Sequence, residues 1–411
     1  MPRENAIGWP LWAMLAALTS TFALSQAFRT VPAIIVGQIG AEFSISPQAI
    51  GDFAGAFSIA FGGMQLLIGV ALDRFGPRRT ICTLFPLAIF GSAVSALAPN
   101  FGVLVAGQIV LGISCAPAYI STLVFIVRRY PAHRFAALSG LAMSLGGLGM
   151  LITSTPLAWV VQAWGWRNAF VVLGVASVVS LGACLILIDE RKEDRAGEES
   201  LGEAIRGIGP IFRMPQTAGI LCLGAVLYGT FLAVRTPWIV PLFQQRYDYS
   251  LVDAGNVVLA FSFAMVVSPL FFGRLDPGGR KRRFLIIAMT YVMAAFIAAL
   301  GVGGKPGPAF DWFFAVTLSV VSGCGMLEYP DLRSSYPAAV VGRAIALLNM
   351  AMFFGVALVQ WIAGFVASIA VAHGVSPIGP IFFTLAAMLA IATTGYWLLP
   401  WPREFDASEP R

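Results

Sequence analysis

Residues 69–79 read Gly69-Val70-Ala71-Leu72-Asp73-Arg74-Phe75-Gly76-Pro77-Arg78-Arg79. Four charges fall within this stretch, and the flanking runs, 47–71 and 79–98, are apolar with one charge each near an edge. A helix needs about 20 apolar residues to cross the hydrocarbon core of a bilayer, so each run is long enough to span it. The local reading is two membrane helices joined by a tight charged loop.

The same alternation fills the chain. Of 411 residues, 58% are hydrophobic and 11% charged, and the mean hydropathy is +0.82. A soluble domain carries about a quarter charged residues. Too little polar side chain is present to wet a globule, so most of the surface is solvated by lipid. Cys82, Cys115, Cys184, Cys222 and Cys324 lie inside apolar runs without a C-x-x-C pair, and the only histidines are His133 and His373. That argues against a metal site, a disulfide framework or a cofactor. The net charge of +6 sits in short inter-helix loops, the pattern of membrane orientation and not of a nucleic-acid-binding face. No nucleophile–base constellation points to an enzyme, and no G-x-x-x-x-G-K-[ST] stretch points to direct use of ATP. The start, Met1-Pro-Arg-Glu-Asn, resembles the head of a signal peptide. The apolar run behind it is too long for one and contains Arg29, so it reads as the first membrane helix.

Apolar runs between Gly, Pro and charge breaks predict twelve spans: 10–37, 47–71, 79–98, 101–129, 135–163, 167–188, 217–244, 251–273, 284–303, 310–334, 341–371 and 377–400. The fold class is all-α membrane protein. The only long polar stretch starts Asp189-Glu-Arg-Lys-Glu-Asp-Arg and runs to Pro215, with an amphipathic surface helix expected over 201–212. The expected division is a six-helix bundle over 1–188, a cytoplasmic linker over 189–216 and a second bundle over 217–411. With the N-terminus inside, Arg167, Arg246 and Lys305 fall outside and Arg29 and Arg235 within spans; the other 21 Lys and Arg of 26 are cytoplasmic. Both termini are therefore expected inside, in the inner membrane. The halves look duplicated. Arg29, Ser46, Gly51 and Asp73 are spaced by 17, 5 and 22 positions, and Arg235, Ser250, Gly255 and Asp276 by 15, 5 and 21. Duplicated halves are a common transporter design.

The loop at Gly69 to Arg79 resembles the G-x-x-x-D-R-x-G-x-R-R signature of the major facilitator superfamily. Gly273-Arg274-Leu275-Asp276-Pro277 echoes it in the second half, and Gly165-Trp-Arg-Asn-Ala-Phe precedes helix six. The resemblance implies two pseudo-symmetric six-helix bundles working by alternating access. It also implies a gating charge relay carried by Asp73, Arg74 and Arg78. Two departures bear on mechanism. Where the family's proton-coupling motif has Arg four residues before Gly112, this chain has Gln108. The G-x-x-x-G-P motif of drug/proton antiporters is absent, Pro156 being preceded by Thr155.

The family lines its cavity with helices one, four, seven and ten, and the residues here agree at helical spacing. Helix one carries Thr19, Phe22, Gln26 and Arg29; helix four Gln108, Gly112, Cys115, Tyr119 and Thr122; helix seven Tyr228, Phe231 and Arg235; helix ten Thr317, Cys324, Glu328 and Asp331. An arginine near the centre of a membrane helix costs about 2.5–3.5 kcal/mol on insertion scales. Two at matching places in the halves would supply planar donor forks for carboxylate, phosphate or sulfonate, as in the organophosphate antiporters and anion:cation symporters that the pair resembles. The competing reading is that both snorkel to the interface. Glu328 is the proton-coupling candidate, the alternative being a structural partner for Arg333 or Arg343. Asp52 reads as favouring the helix dipole after Ser46. Asn349, Gln360 and Trp361 are further cavity candidates, equally readable as helix–helix contacts. Pro237 and Pro241 are hinges or passive kinks.

The expectation is a monomeric carrier in the lipid bilayer whose substrate is a small organic anion, moved by proton symport or anion exchange. Substrate-binding candidates are Arg29, Arg235, Gln26, Tyr119, Tyr228, Gln108, Asn349 and Gln360. The alternatives are an exporter of neutral or amphiphilic compounds and a non-transporting membrane sensor.

Overall fold

The computed structural model describes residues 9–189, 202, 209–337 and 340–399. Most of the expected linker and of the surface helix expected over 201–212 lies outside the described residues. Eleven helical stretches are long and apolar enough to cross a membrane. One of them, Pro47–Ala96, has 50 residues. At 1.5 Å per residue a straight helix of that length would run about 75 Å, more than twice the hydrocarbon thickness. It breaks at Gly76, where φ is 79° and ψ 170°, inside the charged loop. A left-handed φ favours glycine there, and the break divides two spans. Twelve crossings result.

In chain order they are α1 (Trp9–Thr30, continued by Pro32–Phe43), α2 and α3 (the parts of Pro47–Ala96 before and after Gly76), α4 (Phe101–Arg129), α5 (Phe135–Ile152 and Thr155–Trp164) and α6 (Trp166–Leu187). The second half has α7 (Thr217–Tyr247), α8 (Leu251–Arg274), α9 (Gly279–Gly301), α10 (Pro308–Ser335), α11 (Val341–Ala372) and α12 (Ile378–Leu398). Helices suit hydrocarbon because each backbone N–H and C=O is satisfied within its own segment. Against the expected spans, α1 runs six residues further than position 37, to Phe43, and α9 starts at Gly279 and not 284.

The duplication is visible in backbone geometry. Among the described residues, only Ser44 (φ 49°) and Asp248 (φ 56°) have positive φ without being glycine. Each stands two residues before an N-cap serine. Ser46 Oγ accepts from the Ala49 N–H at 3.2 Å, and Ser250 Oγ from the Asp253 N–H at 3.1 Å. Each hydroxyl oxygen thereby satisfies an otherwise orphan amide of the first helical turn.

The halves meet along α2 against α11 and α5 against α8. Gly51 faces the Gln360 carbonyl, Gly55 the backbone of Ala357 and Gly62 the Cβ of Phe353. Thr155 Oγ1 donates to Asn256 Oδ1 at 2.7 Å, and the Gln48 N–H donates to Ser368 Oγ at 2.9 Å. These contacts run from mid-membrane to the end opposite the Asp73 loop. At that same end Glu42 accepts from Trp166 Nε1 at 2.7 Å and from both terminal nitrogens of Arg167 at 2.8 and 2.6 Å. This ties the extension of α1 to the start of α6. At the Asp73 end, Gly69, Gly140 and Gly273 meet nothing within 4 Å.

Small residues permit the close approaches. A Cβ on Gly149 would run into the backbone carbonyl of Ala23, so α1 and α5 pack at backbone distance. Gly149→Ala should lower the thermal unfolding midpoint of the purified protein, by a cost of about 1–3 kcal/mol for overpacking. Gly140→Ala, which meets open space, should leave the midpoint unchanged in the same assay.

Candidate functional site

Arg29 and Arg235 are both enclosed, at 8% and 0% exposure, and Arg235 is the bulkiest fully buried side chain described. Neither snorkels. Both reach across the junction of the halves, Arg29 to the rings of Tyr228 and Phe353 and Arg235 to the Met150 carbonyl. Each arginine stands at a helix irregularity. Arg29 precedes the Val31–Pro32 joint of α1, and Arg235 lies within a five-residue π segment, Val234–Trp238, that also contains Pro237. A proline removes an α-helical donor, and a wider turn lets the chain continue past it. Nothing in the sequence beyond the two prolines marks this segment.

The two guanidiniums have different surroundings. Arg235 donates from Nε and Nη2 to Ser262 Oγ on α8, at 3.2 and 2.9 Å. Its Nη2 also reaches across the halves to the Met150 carbonyl on α5, at 3.1 Å. That carbonyl is available because α5 breaks after Ile152. The Ser154 N–H donates to the Leu151 carbonyl instead, while Ser154 Oγ and Thr153 Oγ1 donate to Met150 O at 2.9 and 3.2 Å. Nη1 of Arg235 is buried with no partner. Arg29 has neither a hydrogen bond nor an acidic partner among the described residues. Its Nε is enclosed and unsatisfied, and its guanidinium carbon lies 6.0 Å from the Tyr228 ring centroid and 5.4 Å from that of Phe353. Such stacking contributes roughly 0.5–2 kcal/mol, less than a carboxylate would supply.

Around Arg29 the rings continue. Phe22 packs on Tyr119 at 4.7 Å, Phe61 on Phe353 at 4.1 Å and Tyr228 on Phe353 at 5.7 Å between centroids. Tyr329, absent from the expected site residues although its neighbour Glu328 is among them, lies near Tyr119 and Tyr228 and donates to Asn349 Oδ1 at 2.7 Å. Helical spacing from Arg29 does not reach α10, so no sequence signal marked it. Gln26, one turn before Arg29, is buried with an unsatisfied Oε1.

Other candidates fall elsewhere. Gln108 is fully buried with both amide atoms unsatisfied, about 10 Å along α4 from Cys115 at 1.5 Å per residue. No described contact joins it to either arginine. Gly112 on the same expected face is pressed against the Phe57 carbonyl of α2, a packing contact. Gln360 lies at the α2–α11 seam, its carbonyl on Gly51. Trp361 is half-exposed and stacked on Phe365 at 5.8 Å, so it faces outward and not into a cavity. Asp331 is not cavity-facing either. It accepts from Arg283 at 2.8 and 3.2 Å and from Tyr396 at 2.7 Å, joining α9, α10 and α12.

Glu328, one turn earlier, is buried with both carboxylate oxygens unsatisfied. Arg333 and Arg343, expected as alternative partners, are not joined to it. It rests in a notch at Gly224 of α7, where an added Cβ would lie 3.1 Å from Oε2. At the loop, Asp73 pairs with Arg128 at the end of α4 at 3.6 Å, Arg78 donates to the Leu185 carbonyl of α6 at 3.0 Å, and Arg74 lies over Phe75 at 5.5 Å. These particular contacts stay within the first half. In the second-half echo, Arg282 donates to both oxygens of Asp276 at 2.7 Å and holds its carboxyl below the usual range.

A model of the Major Facilitator Superfamily matches residues 15–360. The chain belongs to this superfamily. It is a multi-pass membrane protein and a secondary transporter of that type. Its fold is similar to the crystal structure of a D-xylose-proton symporter, with 18% identity and a TM-score of 0.74 over 96% of this chain and 98% of that one. It is also similar to the crystal structure of the nucleoside transporter NupG, with 14% identity and a TM-score of 0.73 over 95% of this chain and 98% of that one. A third similarity is to a bacterial homologue of the human lysosomal transporter Spinster, inward-facing and occupied, with 16% identity and a TM-score of 0.72 over 93% and 95%.

The contrast between the two acids of α10 is testable. Asp331→Ala removes the carboxylate that Arg283 and Tyr396 share and should cost about 3–5 kcal/mol, read as a large fall in the unfolding midpoint. Glu328→Gln breaks no bond and should leave that midpoint within error of the parent.

Proposed function

We propose that this transporter moves a small organic anion of carboxylate, phosphate or sulfonate type by alternating access, through proton symport or anion exchange. The observation that carries the reading is Arg29. A permanently charged guanidinium is enclosed where the halves meet, with no acid and no hydrogen bond to compensate it, and a second buried arginine at the same junction also lacks an acid. Uncompensated buried charge is costly, and a bound anion would remove the cost by accepting the fork of donors. Gln26, Tyr119 and Tyr228 would orient the rest of the solute. Binding of neutral compounds gives no reason for such a pair.

Glu328 is the residue to which we assign the coupling proton. Its carboxyl is enclosed without a donor or cation, so its ionisation is tied to water reaching the Gly224 notch. The xylose relative is named a proton symporter, which makes such coupling reasonable for the same fold. The Asp73 end is assigned to the cytoplasm with both termini, in the inner membrane, the protein acting as a monomer. Bundles 1–188 and 217–411 would be the rocking units, with Asp73, Arg74 and Arg78 in the gate.

In proteoliposomes, Arg29→Ala should weaken anion uptake roughly 10- to 100-fold, the value of one or two charge-assisted hydrogen bonds. Uptake unchanged in this variant would sink the reading. Glu328→Gln should lose uptake driven by a proton gradient while keeping substrate counterflow, measured on the same vesicles.

A further inference from the structure

We infer that the substrate is a monoanion with a flat apolar body, an aromatic monocarboxylate in chemical class, and not a dianion or a polyol phosphate. The inference rests on the anion reading and narrows it. Two observations carry it independently.

The first is how many donors remain free. Both Nε and Nη2 of Arg235 are engaged by Ser262 and Met150, and its remaining Nη1 is wholly enclosed. Of the two, only Arg29 offers a guanidinium without hydrogen bonds. One planar fork matches one carboxylate; a second anionic group would find no second cation able to turn toward it without breaking the bonds between α7, α8 and α5. The positive charge of Arg235 still favours an anion nearby, but as a fixed field and not as a ligand.

The second is what surrounds that fork. Tyr228 and Phe353 lie beneath the guanidinium, with Tyr119 and Tyr329 beside them. All four are partly buried and retain accessible surface. They come from α4, α7, α10 and α11, so both halves contribute. A sugar or nucleoside body calls for many hydrogen-bonding side chains. Among the described residues the polar groups near the rings are few: Gln26, Asn349, whose Oδ1 already accepts from Tyr329, the Glu328 carboxyl next to Tyr329, and the tyrosine hydroxyls. Ring faces at this spacing instead suit offset or edge-on contact with another ring, the carboxylate held at Arg29 and the ring against Phe353 and Tyr228.

The test uses the purified full-length protein and a matched ligand series: benzoate, cyclohexanecarboxylate, acetate, succinate, phthalate, glucose 6-phosphate and neutral benzyl alcohol. Binding is read by thermal shift and by competition for uptake of labelled benzoate. Benzoate is expected to bind at least tenfold more tightly than acetate, succinate or glucose 6-phosphate. Phe353→Leu should weaken benzoate severalfold more than acetate, whereas Arg29→Ala should weaken every carboxylate together. Succinate, phthalate or the sugar phosphate equalling or exceeding benzoate would overturn this inference and leave the anion reading standing. Benzyl alcohol binding as well as benzoate, with Arg29→Ala without effect, would overturn both. No binding by any of the series would also overturn the narrower claim.

Discussion

A guanidinium cannot lose its charge in a protein, and hydrocarbon offers nothing to solvate it. Placing two of them at the junction of the bundles is the constraint around which the centre of the molecule is arranged. The chain meets it in two ways. Arg235 is compensated by neutral oxygens, one a serine hydroxyl and one a main-chain carbonyl liberated by the break in α5. Arg29 is compensated only by aromatic faces. The first leaves only Nη1 of Arg235 without a partner. The second leaves the whole guanidinium without a hydrogen bond, and open donors are what a binding site requires.

The departures from regular helix follow from the same constraint. The joint after Thr30, the break at Thr153–Ser154 and the π segment of α7 all lie at the level of the arginines. Thr30 Oγ1 and Thr153 Oγ1 are 2.6 Å apart, so two of these irregularities touch. Broken helix within a membrane is tolerated where it is buried in protein or lines a cavity. The α1 joint and the α5 break free carbonyls that hydroxyls and Arg235 then satisfy. Glycine contacts along the α2–α11 and α1–α5 seams hold the helices together.

The acids of α10 illustrate how position within one helix turn separates structure from chemistry. Asp331 and Glu328 differ by three residues and share a face, yet one is bound by Arg283 and Tyr396 and the other by nothing. The aromatic residue between them, Tyr329, turns instead toward the tyrosines of α4 and α7. A charge-based reading of that helix selects the acids and passes over the tyrosine, because composition records charge but not direction.

The sequence by itself determined the helical class, the twelve crossings, the duplicated halves and the loop signature. Hydropathy over about 20 residues and short motifs with Gly and Pro are local properties, and the bilayer leaves a chain of this composition no other regular structure. It also marked Arg29, Arg235 and Glu328, since charge in an apolar run is conspicuous at any register. Only the tertiary structure decided which of these had partners. That Arg235 is tied to Ser262 and Met150, that Asp331 belongs to an ion pair, that Gln360 lies in a seam and Trp361 faces outward all depend on which helix lies opposite. Helix-to-helix rotation is fixed by packing between segments far apart in the chain, and no periodicity within one segment encodes it.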